Sequence, residues 1–329
     1  MPQLFSACTA PTRRVRTPAM RRTFATTTFA FAILGMAACK GGAGDAAKLI
    51  PEAATIVGGV NLAAIQGTQG WKDNKAMLES QGKEALDAMT ACNLGIDKWK
   101  SVTVGVDPSA AEEKMAAVIV ADGLGKKENL DCAAGKIKEQ SGGEKDPWTA
   151  EEDGKVLKME NGVVAYVVDD NTIAVAGKAW AEDVKKLTKG EGKSAFDGSL
   201  KDVIGRTDTG KHVWFAGMIP ESAKGMAKSA GDIGDPKDVA GWLDLGSGME
   251  IFVALGLASS DEATKAKETF STQFEDMKGM AGQFGVPQGV VDSVKFDTKD
   301  TAVTVSAKAS PEDMKVIETK LKENLGGMM

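Results

Sequence analysis

Hydrophobic and polar positions alternate in several short stretches of the chain. Val102, Val104 and Val106, for example, fall on one face of an extended segment, which is typical of a strand with one buried side. The residues between such stretches are mostly Gly, Asp, Asn and Lys, which favour turns. Strands are therefore predicted at 55–60, 102–106, 115–121, 162–168, 172–176, 212–218, 251–257, 293–296 and 302–306.

Other stretches carry apolar residues at steps of three and four, the period of a helix with one buried face. They predict helices at 71–89, 129–137 and 181–188 and a long helix from about 263 to 284. Ser310-Pro311-Glu312-Asp313 opens a last helix, with an N-cap, a first-turn proline and acids that favour the positive end of the helix dipole.

Two segments 130 residues apart are similar. When 170–185 is placed on 300–315, seven of sixteen positions are identical, and a strand, a cap and a helix start correspond as one block. Either the chain contains a duplicated unit or two strand-to-helix junctions are alike by chance. The identical residues in the first copy are Asp170, Val175, Lys178, Ala179, Glu182, Asp183 and Lys185.

The order of hairpins and helices predicts the α+β class, with two similar domains that each form a mainly antiparallel sheet with helices packed on one face. We place these domains at 49–190 and 196–329. Each is long enough to bury a core of its own.

The N-terminal 38 residues have the composition of a cleavable export signal. Met20-Arg21-Arg22 is basic, 24–38 is almost wholly apolar or threonine, and Ala37-Ala38 supplies small residues before Cys39. The apolar run is shorter than the ~20 residues that a membrane-spanning helix needs. Met20 alone would begin a compact signal, and Arg21-Arg22-Thr23-Phe24 also resembles part of a twin-arginine signal.

Leu34-Gly35-Met36-Ala37-Ala38-Cys39 resembles the lipobox of bacterial lipoproteins, with Met36 where that family usually has leucine. The resemblance implies a diacylglyceryl group on Cys39, cleavage before it, and a Gly/Ala tether over 39–48. Two or three acyl chains make membrane binding stable, so the membrane is the expected partner. Lys40 stands where enteric lipoproteins retained in the inner membrane carry aspartate, which implies the outer membrane. The body, at 50–60, also resembles uncharacterised bacterial envelope proteins.

Charge and composition narrow the possible functions. Cleavage before Cys39 leaves 35 basic against 46 acidic residues, a net charge of −11, which argues against a nucleic-acid partner. No motif indicates a catalytic site, a metal site or a cofactor. His212, the single histidine, is interpreted as a structural or surface residue, and Asp232, Asp235 and Asp238 as a solvated acidic loop.

Cys92 and Cys132 are the cysteines left in the body. In an oxidising compartment they could form a disulfide, or each could be a small buried apolar residue.

The function predicted from these features is a non-enzymatic, lipid-anchored envelope protein of binding or structural type, with an envelope protein as a possible partner. One alternative is a periplasmic enzyme that uses a carboxylate pair drawn from Asp169, Asp170, Asp297 and Asp300. Another is an envelope assembly factor or chaperone that uses an apolar surface around Met277 and Met280.

Overall fold

The computed structural model describes residues 44–143, 145–224 and 233–326, all of which belong to one compact unit. The predicted signal peptide, Cys39 and Asp232 lie outside the described residues.

The described strands form one twelve-stranded sheet in which every neighbouring pair is antiparallel. Its order is β11-β12-β10-β9-β8-β1-β2-β3-β7-β6-β5-β4. The strands are β1 Ile56–Asn61, β2 Trp99–Val106, β3 Met115–Ala121, β4 Thr149–Glu151, β5 Val156–Lys158, β6 Val164–Asp169, β7 Thr172–Ala176, β8 Val213–Met218, β9 Asp238–Asp244, β10 Met249–Gly256, β11 Lys295–Lys299 and β12 Ala302–Ala309.

Helices fill the connections between these strands. They are α1 Leu62–Ile65, α2 Gln69–Gln81, α3 Lys83–Ala91, α4 Lys127–Gln140, α5 Ala181–Thr188, α6 Lys201–Ile204, α7 Ser260–Lys278, α8 Gln288–Ser293 and α9 Pro311–Gly326. A 3-10 helix at Asp45–Leu49 precedes β1.

The strand order repeats on the two sides of the central β1–β8 pair. Outward from the centre, one side reads β1, β2, β3, β7, β6 and the other reads β8, β9, β10, β12, β11. The similar segments 170–185 and 300–315 therefore contain strands at equivalent places, each followed by a helix. This is the arrangement that a duplicated unit predicts. Both segments are parts of one continuous sheet, and their division into two domains stays a prediction.

The α+β class and the antiparallel sheet are confirmed, but helices cover both faces of the sheet. On β7, Ala174 packs in one core with Val184 of α5, whereas its neighbour Ile173 packs in another with Leu130 of α4. Successive residues of a strand point to opposite faces. Because β6 and β7 are apolar at successive positions, both of their faces need a cover.

Two sequence predictions are wrong. The predicted helix at 71–89 is two helices, because Gly82 lies between them with non-helical backbone angles, φ −108° and ψ 16°. The predicted acidic loop ends at Asp238, where β9 begins instead. The Asp238 side chain is buried, because it pairs with Arg206, the only arginine after residue 38.

Candidate ligand cleft

A row of polar residues crosses one end of the sheet. His212 immediately precedes β8, and the strand registers place it opposite Asn61 on one side and Asp244 on the other. Asp244 pairs with Glu250, and Glu250 pairs with Lys308. Directly paired residues of antiparallel strands share a face. The row is therefore Asn61, His212, Asp244, Glu250 and Lys308, on one face of five neighbouring strands.

His212 is buried, with 4% of its surface exposed, and it is held through Nδ1. The Leu245 N–H donates to Nδ1 at 3.0 Å, which in a neutral ring leaves the proton on Nε2. Asp244 Oδ1 lies 2.7 Å from the same Nδ1, a contact that becomes an ion pair when the ring is protonated. Nε2 carries a hydrogen in both of these states.

Asp244 connects the strand ends. Its Oδ2 lies 2.7 Å from Lys211 Nζ, and its Oδ1 accepts from the Gly246 N–H at 3.0 Å. Burial raises the pKa of Asp244, but the hydrogen bonds from Lys211 and Gly246 outweigh burial and hold that pKa below its ordinary value. The hydrogen bond to Asp244 in turn raises the pKa of Lys211, whose Nζ lies 4.4 Å from the ring centre of Trp242.

An open cleft of about 700 Å³ lies beside this row. Its walls are His212 and Asp244, the turn between β9 and β10, the Glu250–Lys308 pair and the start of α9. The turn is fixed at Gly248, whose φ is +102° and where a Cβ would lie 2.2 Å from the Ala309 carbonyl oxygen. The cleft therefore combines a fixed backbone, two ion pairs and a buried imidazole.

Sequence reasoning missed this cleft. It placed His212 correctly at a strand start but found no partner for it, since Asp244 is 32 residues away and belongs to the strand that was not predicted. The available signal was the Asp-Leu-Gly-Ser-Gly stretch at 244–248, a composition typical of a turn.

The other predicted site residues are distributed as follows. Cys92 and Cys132 form a disulfide between the end of α3 and α4, with an S–S distance of 2.06 Å. Asp169 and Asp170 lie at the β6–β7 turn, whereas Asp297 and Asp300 lie in the β11–β12 hairpin. Seven strand spacings of ~4.8 Å, roughly 30 Å, separate β7 from β12, so the two turns do not supply one carboxylate pair.

Two further observations concern only the residues that the structure describes. No group of three or more His, Cys, Asp or Glu residues among them is placed to hold a metal ion. None of the described helices has both the length and the apolar character that crossing a membrane requires.

No protein-family model matches the sequence, and no curated protein matches it. Among solved structures, one described as crystal form I of TP0453 is similar over 83% of this chain and 96% of that chain, with 8% sequence identity and a TM-score of 0.45. A likeness this distant says nothing about ligand or activity.

Proposed function

We propose that this protein is a lipid-anchored envelope protein, held in the outer membrane by acyl chains on Cys39, that acts by binding and not by catalysis. The observation that carries the anchorage is the stretch Leu34 to Cys39, placed directly after a basic and then apolar segment. Lys40 after the cysteine supports the outer membrane as the destination.

The anchor would hold the body close to the membrane. The 3-10 helix Asp45–Leu49 begins six residues after Cys39, and its Leu49 is part of the main core. Six extended residues span at most about 20 Å. The body therefore has little freedom to leave the membrane surface once Cys39 is acylated.

The cleft supports the binding role. It is open, and it presents a buried imidazole nitrogen next to fixed ion pairs. Binding sites are typically concave, with few polar groups in fixed positions.

Replacing Cys39 tests the anchorage. Cys39→Ala should leave an unprocessed or soluble product, because acylation precedes cleavage in this pathway. Cys8→Ala, upstream of the predicted cleavage, is the matched control and should leave acylation and membrane fractionation unchanged. Intact-mass measurement of the mature wild type should show acyl chains on its first residue, and an unmodified cysteine there would contradict the proposal.

A role as an assembly factor is a second candidate, favoured by exposed methionines at the end of α7 and just after it. Met277 and Met280 are 54% and 46% exposed, although apolar side chains of this size are mostly buried. Met277→Lys with Met280→Lys should abolish copurification of envelope proteins after mild crosslinking. Met77→Lys, at a 52% exposed methionine of α2, is the control. Recovery of the same partners from all variants would exclude this surface.

A further inference from the structure

We infer that the cleft beside His212 binds a small anionic ligand through a carboxylate or phosphate group. This inference deepens the proposed binding role and is independent of lipid on Cys39. It depends on which polar groups at the cleft are already paired and which are not.

The carboxylates at the cleft are paired with cations. Asp244 is held by Lys211 and by the Gly246 N–H, and Glu250 Oε1 lies 3.0 Å from Lys308 Nζ. Each acid thus has a basic partner within hydrogen-bond distance. Their negative charge is compensated before a ligand arrives.

The polar atoms without a partner are hydrogen-bond donors. Nε2 of His212 makes no hydrogen bond to any described residue, and it is not among the described polar atoms that are both unbonded and shut off from solvent. Since His212 lines the cleft and carries a hydrogen on Nε2 in both of the states above, this N–H is available to a ligand.

Asn61 supplies a second, independent observation. It is the cross-strand neighbour of His212, only 4% of its surface is exposed, and its Nδ2 has no hydrogen-bond partner. Buried amide donors in proteins are nearly always paired, because leaving one unpaired costs stability. An unpaired donor next to an imidazole N–H favours a ligand that accepts hydrogen bonds.

An anionic oxygen satisfies these donors best. Hydrogen bonds to an ionised acceptor are shorter and stronger than those to a neutral one. Lys308, with 64% of its side chain exposed, adds a mobile positive charge at the rim of the cleft. Carboxylates and phosphates share this chemistry, so the experiment must compare them.

The single histidine makes the test direct, because every imidazole signal of the chain reports on His212. The mature protein, labelled with ¹⁵N-histidine, would be titrated with sodium acetate, with sodium phosphate and, to control for ionic strength, with sodium chloride at constant pH. We expect the imidazole nitrogen signals to shift saturably with acetate or phosphate, with a Kd of about 1 mM or below. The anion that produces the shift identifies the group that binds.

A charge reversal at the rim provides a matched comparison. Lys308→Glu should weaken anion binding roughly tenfold, since it replaces an attractive charge with a repulsive one close to the ligand. Lys299→Glu changes the net charge equally but lies on β11, outside the cleft, and should leave the Kd within a factor of two of wild type.

Two results would overturn the inference. The first is an absence of saturable His212 shifts with both anions, or shifts that sodium chloride reproduces. The second is equal weakening by Lys308→Glu and Lys299→Glu, which would indicate a general charge effect. Failure of the Cys39→Ala experiment would leave both readouts unchanged, so the two proposals can fail separately.

Discussion

Gly59 and Trp214 lie directly opposite each other across β1 and β8, and the indole of Trp214 occupies the space where Gly59 has no side chain. A Cβ on Gly59 would lie 2.0 Å from Trp214 Nε1, and Trp214 itself is only 2% exposed. The glycine therefore admits a large buried aromatic ring at the one strand pair that joins the two sides of the sheet.

Gly59→Ala should lower the free energy of unfolding by roughly 1–3 kcal/mol, because the indole has no free space into which to move. Urea unfolding measures this change. Gly135→Ala, in the middle of α4 where no atom lies within 4 Å of the added Cβ, is the control and should stabilise the protein by about 0.5–1 kcal/mol. Equal stabilities of the two variants would show that the contact with Trp214 is not restrictive.

The Cys92–Cys132 disulfide should contribute about 4 kcal/mol to stability, since it closes a loop between residues 40 positions apart and so restricts the unfolded chain. Replacing both cysteines with serine should lower the midpoint of urea unfolding correspondingly. Reductant should lower the wild-type midpoint and leave that of the double variant unchanged. Alkylation of both thiols in unreduced, denatured protein would rule the bond out.

Arg206→Gln should destabilise the fold by roughly 3 kcal/mol at neutral pH, because it leaves the carboxylate of Asp238 buried without its cation. Burial already raises the pKa of Asp238, against the opposing effect of Arg206. Loss of Arg206 should raise it further.

That shift fixes the sign of the pH dependence. An acid whose pKa is raised in the folded state adds stability when protonated and loses that contribution as pH rises through the folded pKa. The difference in unfolding free energy between wild type and Arg206→Gln should therefore be largest near pH 7 and shrink as pH falls towards 4. A difference that does not vary with pH would mean that Asp238 stays ionised throughout.

Asp107 should show the opposite behaviour. Hydrogen bonds from Lys114 and Ser109 lower its pKa to about 2. Its stabilising contribution is thus present above the ordinary value of 3.8 and is lost as pH falls towards 2. Lys114→Met should move the pKa of Asp107, measured by NMR of its carboxyl carbon, towards 3.8. An unchanged value would mean that Ser109 alone sustains the shift.

Local features of the fold could be predicted from the sequence, because alternation and turn residues act over a few positions. The β6–β7 and β11–β12 hairpins lie where their aspartate-containing turns indicated. β9 was not predicted, since its Ala-Gly-Trp centre lacks β-branched residues and its two ends are aspartates. Both of these acids are paired in the fold, Asp238 with Arg206 and Asp244 with Lys211.

The cleft could not be predicted for a different reason. His212, Asp244 and Glu250 become neighbours only through the registers of β8, β9 and β10, and a shift of one residue in any pair would place them on opposite faces. Periodicity along a single chain shows that a strand exists, but it does not fix which residues of another strand lie beside it.

The central strand pair also shapes how the chain folds. Val60 of β1 pairs with Val213 of β8, about 150 residues later, whereas β1 meets β2 after a much shorter loop. On synthesis or refolding, the first part of the sheet can therefore form while β1 is still an open edge, with its amide and carbonyl groups unpaired. Such an edge is a template for pairing with other chains until it is covered. Because closing so long a loop is slow, we expect a delayed folding phase in which aggregation competes with the docking of β8.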